Sequence, residues 1–407
     1  MNILFITIAF PDGSHQSNIY SDLMEELQDF GHNVYVITSL ERAKGGKSFI
    51  SIENGITIVR AKTLNLKKCN FFEKTMGIFL LKYQYARAWK KFLSKIEFDL
   101  IIYSTPPITI ESLVRKIKKE CQAPTYLLLK DIFPQNAVDL GMISKNGLIY
   151  SYFRSQEKRL YSVSDFIGCM SQANVDYILK NNKEVNEKTI EVCPNSIRPS
   201  NRDLSLGNIE KIRKIYDIPL ESTVFIYGGN LGLPQGIDFL ISVLGSNKDR
   251  TDVFFLIVGS GTEQNRLRLA VDKLRGKNCA MFSFMKKNDY LALLSASDVG
   301  LIFLNHKFTI PNFPSRILDY LNAGLPVLAA TDKNTDMGEI ITRNNFGYWC
   351  ESNDVNFFNN FANELSLNKD LRKKMGDNAR NFLINNYTTK KSCEIILSHF
   401  SKSEEAS

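Results

Sequence analysis

The sequence predicts an α/β protein whose two halves are similar in size and each contain a parallel β-sheet. Its 407 residues allow two or three domains at about 150 residues per domain. Apolar residues make up 44% of the chain and charged residues 23%, as in ordinary globular proteins. Short apolar runs alternate with helical patterns almost throughout, which is typical of strands joined by crossover helices. These features exclude disordered and collagen-like classes, and no apolar run reaches the roughly 18 residues of a membrane-spanning helix.

The first half is predicted to hold six strands, each a short apolar run bounded by polar or turn residues. These strands are predicted at residues 3–9, 33–38, 56–60, 99–104, 125–129 and 165–170. The opening residues carry neither a basic region nor a small-residue cleavage site, so we predict a buried first strand and not a secretory signal. A turn at residues 11–14 then leads to a helix with one apolar face, which Gly31 ends.

The second half repeats this alternation after a polar, broken segment. Proline and glycine interrupt residues 197–222, where we place a linker. Later strands are predicted at residues 223–227, 253–258, 280–282, 299–303, 326–330 and 346–350. We therefore predict two Rossmann-like domains facing each other across a cleft, at residues 1–196 and 197–386, with a terminal helix at about 387–407 that packs back on the first.

Cysteine usage and charge bear on the compartment and the partners. The seven cysteines are scattered, odd in number and never spaced as CxxC, which predicts a reducing cytoplasm without a disulfide framework or a zinc site. The chain has a net charge of +8, and residues 62–95 alone carry nine Lys or Arg and one Glu. The basic excess is therefore local, which indicates one patch that meets an anionic surface.

The basic stretch has three interpretations. Residues 70–96 mix aromatic, aliphatic and cationic side chains at helical spacing, which suits an anionic membrane interface. The alternative is an ordinary domain helix that buries residues such as Leu81, Tyr85 and Trp89 and leaves its lysines solvated. Nucleic-acid binding finds no support, because no recognition motif accompanies the charge.

Two glycine-rich turns follow apolar strands in the second half. The run TVFIYGGNLGLPQGIDFLI (223–241) passes from a strand through Gly229 and Asn230 into a helix, and VGSG (258–261) ends the next strand with Gly259 and Gly261. Glycine lets backbone N–H groups approach a phosphate, and a helix N-terminus adds partial positive charge. A tight turn also needs glycine for its geometry alone, and neither run matches GxGxxG or the Walker pattern. Both interpretations stay open at this point.

A third segment, FTIPNFPSRILDYLNAGLPVLAA (308–330), places polar residues at a predicted helix start. Ser315 is positioned as a cap or first-turn hydroxyl, and Arg316 follows it. Free N–H groups beside an arginine form a cradle for a diphosphate. Asp319 lies on the same helix face as Ser315, where its carboxylate could accept from ribose hydroxyls, and a solvent-facing carboxylate is the alternative.

These three segments, in this order and spacing, resemble the retaining glycosyltransferases of family 4, which have the GT-B fold. The resemblance covers essentially the whole chain, with PN before the linker, the Gly-Gly turn, VGxG and SRxxDYxxAGxPV as its motifs. The runs KDIFPQNAVDLGM (130–142) and MSQANVDYI (170–178) resemble more narrowly the bacterial O-antigen and capsule enzymes of the N-acetylfucosaminyltransferase type. The resemblance implies transfer of a sugar, such as an N-acetylated amino sugar, from a UDP-linked donor to an undecaprenyl-diphosphate-linked saccharide.

The donor motifs depart from the family pattern in two places. Asn230 and Gln235 stand where family members often have an Arg and a Lys that neutralise the donor diphosphate. The resemblance therefore implies that Arg316 supplies most of the positive charge for this diphosphate. Of the family's E-x7-E pair, the first acid is replaced by Pro311, and Asp319 retains the second as the implied ribose ligand. The remaining predicted donor contacts are Gly229, Gly259, Gly261 and Ser315.

The first half supplies the expected acceptor side. Many relatives have a histidine before the aspartate of KDIFP, and Lys130 stands there, where it could bond sugar or phosphate but not act as an imidazole base. Asp131 is either an N-cap or a residue at a strand end that meets the acceptor hydroxyl or the reacting sugar, and we favour the latter. We predict Lys130, Asp131 and Arg316 as catalytic residues, with Gly13 and Ser14 in a loop that approaches phosphate or acceptor.

The sequence lacks the motifs of metal-dependent catalysis and of a serine nucleophile. The four histidines show no metal-ligand spacing, and neither Asp-x-Asp nor GxSxG occurs. We therefore predict a reaction without metal or cofactor, in which helix N-termini and Arg316 hold the leaving diphosphate. In the resembled enzymes that phosphate takes the acceptor's proton.

The predicted enzyme is peripheral on the inner face of the cell membrane, bound through residues 62–95, because the resembled enzymes use lipid-linked acceptors. A nucleotide-sugar 2-epimerase of the same fold and a non-catalytic sugar-nucleotide-binding subunit are the alternatives. Donor turnover distinguishes them. A transferase releases nucleoside diphosphate with acceptor present, an epimerase changes the sugar alone, and a binding subunit does neither.

Overall fold

Two α/β units, each with its own sheet, make up the structure. The computed structural model describes residues 1–13, 17–66, 69, 71–200, 206–274, 278–283 and 285–400. The first unit comprises the chain up to Arg198 and from Thr389 onward, and the second comprises Pro199–Thr388. These divisions lie two residues beyond the predicted boundaries after 196 and after 386.

The sheet of the first unit is almost entirely parallel. Its eight strands are β1 Asn2–Ile6, β2 Asn33–Glu41, β3 Phe49–Glu53, β4 Ile56–Thr63, β5 Leu100–Ser104, β6 Thr125–Leu129, β7 Phe166–Cys169 and β8 Ile190–Val192. They lie in the order β3-β4-β2-β1-β5-β6-β7-β8, and only β3 runs antiparallel to its neighbour. Strands β5 and β6 are buried along their whole length, as expected of a parallel sheet covered by helices on both faces.

In the described part of the first unit, six α-helices alternate with these strands before the chain enters the second unit. They are α1 Ile19–Asp29, α2 Phe71–Phe92, α3 Glu111–Cys121, α4 Gln135–Asp139, α5 Leu148–Val163 and α6 Gln172–Asn181. The side chain of Asn18 caps α1 by accepting from the backbone N–H groups of Tyr20 and Ser21. The buried face of α1, which includes Met24, then packs with Phe5 in the core of this unit.

The second unit holds a fully parallel sheet. Its strands are β9 Thr223–Asn230, β10 Val253–Ser260, β11 Cys279–Phe282, β12 Val299–Phe303, β13 Val327–Thr331 and β14 Gly347–Glu351, in the order β11-β10-β9-β12-β13-β14. Its helices are α7 Leu206–Ile215, α8 Ile237–Ser246, α9 Gln264–Leu274, α10 Lys287–Ser295, α11 Arg316–Ala323, α12 Met337–Arg343, α13 Val355–Leu367 and α14 Lys369–Asn386. Phe225, Phe255, Phe303 and Phe358 share its core.

The last helix, α15 Thr389–Ser398, belongs to the first unit. The backbone N–H of Thr389 donates to the Ile197 carbonyl at 3.1 Å, and the hydroxyls of Ser392 and Ser196 lie 2.8 Å apart. Ile396 is buried in the core of that unit. The chain therefore returns to the first unit after completing the second.

The segment predicted as a linker, residues 197–222, contains a short charged helix, as expected from the sequence, but that helix, α7, packs as part of the second unit. Arg213 on α7 is buried and donates to the carbonyl of Ala296 at 3.0 Å and to that of Ser222 at 3.0 Å. It also pairs with Asp298 at 2.8 Å. The charge of this short helix therefore serves an internal contact that a polar sequence pattern does not distinguish from a solvated linker.

Candidate active site

The two glycine turns of the second unit lie side by side at the carboxyl edge of its sheet. Strands β9 and β10 pair in register, with Gly229 opposite Gly259. A Cβ on Gly259 would stand 1.9 Å from the Gly229 carbonyl oxygen, and one on Gly261 would stand 2.3 Å from the Leu231 carbonyl oxygen. Glycine is therefore required for the two backbones to pack this closely. The packing brings both predicted turns to one place.

Arg316 begins α11 and lies against the first of these turns. Its guanidinium stacks on the Tyr227 ring, with Cζ 4.4 Å from the ring centroid, and a Cβ on Gly229 would lie 3.3 Å from the same Cζ. The Nη1 group is buried and has no hydrogen-bond partner among the described residues. A buried donor left without an acceptor costs about 1–3 kcal/mol. An acceptor supplied by a ligand would offset that cost.

Three neutral tyrosines surround this arginine. The Tyr320 hydroxyl accepts from the Gly228 N–H at 3.0 Å, and a Cβ on Gly228 would lie 2.0 Å from the Tyr290 hydroxyl. Burial raises the pKa of Tyr227, Tyr290 and Tyr320 above the ordinary value. The phenols therefore stay protonated at physiological pH and do not neutralise the guanidinium.

Ser315 and Asp319 occupy the start of α11, as predicted from their spacing. Ser315 stands at the N-cap position, but its side chain makes no capping hydrogen bond. The hydroxyl cap, one of the two roles predicted for Ser315, is therefore absent. The N–H groups of Ile317 and Leu318 instead donate to the backbone carbonyls of Pro314 at 3.3 Å and Ser315 at 3.0 Å. Asp319 lies in the first turn, partly exposed, where its charge acts on Tyr290.

Asn230 and Gln235, which replace two cations of the resembled family, bind each other. Asn230 Nδ2 donates to Gln235 Oε1 at 3.0 Å. The same oxygen accepts from the Gly232 backbone N–H at 3.2 Å. The two amides close the turn after β9 and add no positive charge to it. Arg316 is thus the cation that the structure places against this turn.

Sequence analysis missed Asp332, which follows β13 at the same sheet edge. Its Oδ1 accepts from the backbone N–H groups of Asn334 at 2.8 Å and Thr335 at 3.2 Å, while Oδ2 is buried and lacks a partner in the described part of the chain. Burial raises the pKa of Asp332 to about 6, against the hydrogen bonds from Asn334 and Thr335. An acid directly after an apolar strand was the available signal. It was overlooked because no motif surrounds it.

Lys130 and Asp131 follow β6 at the carboxyl edge of the first unit's sheet. Thr105 Oγ1 accepts from the backbone N–H of Lys130 at 2.9 Å and from that of Asp131 at 3.3 Å. The nearby α4 starts at Gln135 with Pro134 at its N-cap position. The N-cap interpretation of Asp131 is therefore wrong, and the residue stands at a strand end, as the other interpretation requires.

The environment of Asp131 favours a carboxyl group that titrates near neutral pH. Burial raises the pKa of Asp131 to about 6, and hydrogen bonds from the Ile132 N–H and from Asn136 oppose the shift. Asn136 Nδ2 donates to Asp131 Oδ1 at 2.7 Å. Perturbed carboxyl groups of this kind are enriched at functional sites.

The side chain of Lys130 reaches across the carboxyl edge of the sheet towards the end of β8. Its Nζ donates to the Cys193 carbonyl at 3.1 Å, so it links the ends of β6 and β8. Burial lowers the pKa of Lys130 and raises the pKa of the neighbouring thiols of Cys169 and Cys193. The thiols are therefore neutral, and the catalytic role of Lys130 stays a prediction.

The loop after β1 is described only in part. Gly13 has φ +84°, in the left-handed region, which favours glycine. Among the described residues beyond its chain neighbours, no atom lies within 4 Å of the position that a Cβ would take. The preceding Asp12 accepts from Arg60 at 3.0 Å and also pairs with Lys44. Ser14 lies outside the described residues, and the predicted contact of this loop with phosphate or acceptor stays a prediction.

The fold defines the class of protein. Over 98% of the chain it is similar to sucrose-phosphate synthase from Thermosynechococcus elongatus, with a TM-score of 0.76 at 15% identity over 98% of that chain. It is also similar to Anabaena Alr3699/HepE solved with UDP and glucose, with a TM-score of 0.70 at 16% identity over 98% of this chain and 99% of that one. The protein has the GT-B glycosyltransferase fold, with two Rossmann-like units, as the sequence predicted.

Sequence comparison finds similarity to glycosyltransferases. Residues 208–382 match the family described as Glycosyl transferases group 1. Probable glycosyltransferase WbjE of Pseudomonas aeruginosa is 22% identical over 307 residues, 71% of this chain and 73% of that protein. Putative colanic acid biosynthesis glycosyl transferase WcaI of Escherichia coli K12 is 21% identical over 257 residues, 62% of this chain and 61% of that protein. The second unit is thus similar to the group 1 glycosyltransferases, and the predicted enzyme class, a glycosyltransferase, is confirmed.

Proposed function

We propose that this protein transfers a sugar, with retention of configuration, from a UDP-linked donor to a lipid-linked saccharide in the synthesis of O-antigen or capsule. The observation that carries the proposal is the buried, unpartnered Nη1 of Arg316 beside the Gly229 turn, among the residues the structure describes. The HepE complexes with UDP and UDP-glucose support a uridine nucleotide. The name of WcaI, which refers to colanic acid biosynthesis, supports a surface polysaccharide. The N-acetylfucosaminyltransferase resemblance supports an N-acetylated amino sugar.

The second unit would hold the donor through its diphosphate. When the bond between sugar and diphosphate breaks, negative charge grows on the terminal phosphate. Arg316, whose Cζ lies 4.4 Å from the Tyr227 ring centroid, and the positive end of the α11 dipole would stabilise that charge. Asp319 would accept from the ribose hydroxyls. Gly229, Gly259 and Gly261 let the backbone of both turns approach the nucleotide sugar.

The first unit would bind the acceptor at the edge that carries Asp131. In its ionised form this carboxylate can accept from a sugar hydroxyl and orient it, and Lys130 would hold the neighbouring strand ends in place. The proton of the attacking hydroxyl would pass to the leaving phosphate oxygen, so that no strongly basic side chain is needed. Gly13 and Ser14 would flank this acceptor.

We further propose that the reaction needs no metal ion and occurs on the inner face of the cell membrane, reached through residues 62–95. Turnover that survives EDTA would support the first point, and turnover that requires added Mg²⁺ or Mn²⁺ would contradict it. Within the described ranges, no helix is long and apolar enough to cross a membrane.

Donor turnover tests the proposal. A panel of UDP-linked and other nucleotide sugars is screened by thermal shift, and the best donor is incubated with and without lipid-linked saccharides. We expect the largest shift with a UDP sugar and release of UDP that depends on the acceptor. Conversion of the donor sugar without acceptor would indicate an epimerase. Binding without any turnover would contradict transfer.

A further inference from the structure

An exposed apolar patch lies where α5 begins, outside the stretch that the sequence singled out. We call its three residues, Leu148, Ile149 and Tyr152, the α5 tip. They share the first turns of α5 and are 90%, 58% and 37% exposed. Single exposed apolar residues are ordinary, but a cluster of this kind marks an interaction site.

The α5 tip is continuous with α2. The Tyr152 ring lies 5.3 Å from the Phe79 ring of α2, centroid to centroid, and Phe79 also stacks on Phe153 at 6.2 Å. One turn further along α2, Tyr83 is 59% exposed. Aromatic side chains therefore connect the α5 tip with the outer face of α2.

The outer face of α2 becomes cationic towards its carboxyl end. A groove of about 580 Å³ lies beside the helix, and its lining includes Leu80, Tyr83, Arg87, Lys90 and Lys116. The opposite face of α2 buries Leu81, Tyr85 and Trp89. The inner face of α2 is therefore packed in the domain, as the ordinary-helix interpretation expects. The outer face carries exposed side chains such as Tyr83.

We infer that the α5 tip and the outer face of α2 form one docking surface for an anionic lipid bilayer. Leucine and isoleucine would enter the acyl boundary, tyrosines would lie at the headgroup level, and Arg87 and Lys90 would bind lipid phosphates. A protein partner is disfavoured by the charge, because residues 62–95 carry nine cations and a single acid. The inference refines the proposed membrane location by moving the apolar contact to α5, and it rests on the proposed function only in expecting a lipid-linked acceptor.

Vesicle binding of the full chain tests the inference without any turnover. Sedimentation is measured with vesicles of seven parts phosphatidylcholine to three parts phosphatidylglycerol, and with pure phosphatidylcholine, at low and high salt. We expect the protein to sediment with the anionic vesicles at low salt and to remain in the supernatant when the vesicles are neutral. Equal binding to both compositions would overturn the role of Arg87 and Lys90.

Paired variants separate the two parts of the surface. Leu148→Ser with Ile149→Ser should weaken binding at least about tenfold through lost apolar burial. Ile50→Ser with Ile52→Ser is the matched control, since both isoleucines are exposed on the edge strand β3, and it should bind like the wild type. Wild-type binding by the α5 variant would overturn the inference.

Charge reversal is tested in the same way. Arg87→Glu with Lys90→Glu should weaken binding by about thirtyfold or more and remove most of the salt dependence. Lys183→Glu with Lys188→Glu reverses two exposed lysines before β8 and should leave binding unchanged. If both pairs weaken binding equally, net charge and not this surface is responsible, and the inference fails.

Leu148→Trp provides a positive signal, because the native Trp89 is buried on the inner face of α2 and Trp349 lies on β14 of the second unit. Its emission should shift to the blue when anionic vesicles are added. An unshifted emission, or a wild-type dimer that Leu148→Ser converts to a monomer, would indicate a surface that is not inserted in lipid. UDP release with a soluble acceptor is followed in parallel. Intact release without vesicle binding would refute this inference alone, whereas vesicle binding without any release would refute the proposed transfer alone.

Discussion

Tyr227 joins two parts of the candidate donor site through two different groups. Its ring stacks against the Arg316 guanidinium at 4.4 Å, and its hydroxyl donates to the Asn230 carbonyl at 2.7 Å. The ring therefore contacts the guanidinium, while the hydroxyl holds the turn after Gly229. A single buried side chain positions both the charge and the glycine turn.

Two substitutions of Tyr227 should separate these functions. Tyr227→Leu removes the stacking contact, which is worth about 0.5–2 kcal/mol, so UDP affinity should fall roughly threefold to thirtyfold. Tyr227→Phe retains the ring and should lose less affinity. Isothermal titration with UDP measures both variants. Equal loss in the two would show that the hydroxyl, and not the ring, is responsible.

Asp332 should make the stability of the protein depend on pH. Its pKa is about 6 in the folded protein and near 3.9 in an unfolded chain. A raised carboxyl pKa contributes stability that is present below the unfolded value and lost as pH rises through the folded value. Asp332→Asn cannot ionise and so does not lose this stability. The free energy of unfolding of the variant minus that of the wild type should therefore be larger at pH 8 than at pH 4, by at most about 3 kcal/mol.

Urea unfolding of both proteins across this pH window measures that difference. The difference in free energy of unfolding in favour of the variant should grow mainly as the pH rises between the two pKa values. A difference in free energy of unfolding that is the same at acidic and alkaline pH would contradict the assignment.

Asp131 should control the acidic limb of the activity profile. Because its pKa is raised to about 6, kcat/KM should rise with pH through that value as the carboxylate forms. Asn136→Ala removes the hydrogen bond to Asp131 Oδ1, which favours the ionised form, so the limb should move to higher pH. Asn181→Ala, on α6, is the control and should leave the limb in place. An unchanged limb in Asn136→Ala would exclude Asp131 as the titrating group.

At the scale of secondary-structure elements, the contact between β9 and β10 depends on the absence of side chains. Gly259→Ala would place a Cβ 1.9 Å from the Gly229 carbonyl oxygen, so it should destabilise the protein by roughly 2 kcal/mol or more and weaken UDP binding. Gly245→Ala, near the end of α8, meets only Leu274 at 3.9 Å and should be neutral or stabilising by up to about 1 kcal/mol. Chemical denaturation compares the two, and equal losses would contradict the close packing.

Most strands could be predicted because parallel strands that are buried on both faces appear as short apolar runs, and β6 coincides with its predicted range. Strand β3 was missed because it is an exposed edge strand. Its signal was present in Asn54 and Gly55, whose positive φ angles of 49° and 81° form a tight hairpin turn to β4. Strand β8 has only three residues, too few for a pattern.

The candidate site was predictable where its chemistry lies in local motifs. Gly229, Gly259 and Arg316 come from turns that the spacing identified. The contacts of Tyr227 and the burial of Asp332 were not predictable, because they depend on residues distant in sequence. The same reason applies to the α5 tip, since exposure of Leu148 follows from tertiary packing and not from its neighbours.

At the scale of the whole molecule, the net positive charge is concentrated in one stretch of the chain, whereas the apolar part of the proposed docking surface lies on a different helix. The net charge of +8 equals that of residues 62–95, yet the most exposed of the apolar side chains that we assign to the docking surface is Leu148 on α5. An anionic surface would therefore be met by cations from one helix and apolar residues from another. In the proposed function, the second unit binds the donor diphosphate through the guanidinium of Arg316, whose Nη1 is buried.

The central claim is that Arg316 binds the donor diphosphate, and titration of UDP and uridine into the wild type and Arg316→Ala tests it most directly. Arg343→Ala, an exposed arginine on α12 of the same unit, serves as the control. We predict that the wild type and the control bind UDP far more tightly than uridine, and that Arg316→Ala loses about tenfold or more of UDP affinity while its uridine affinity is unchanged. Equal UDP affinity in Arg316→Ala and the wild type would contradict the claim.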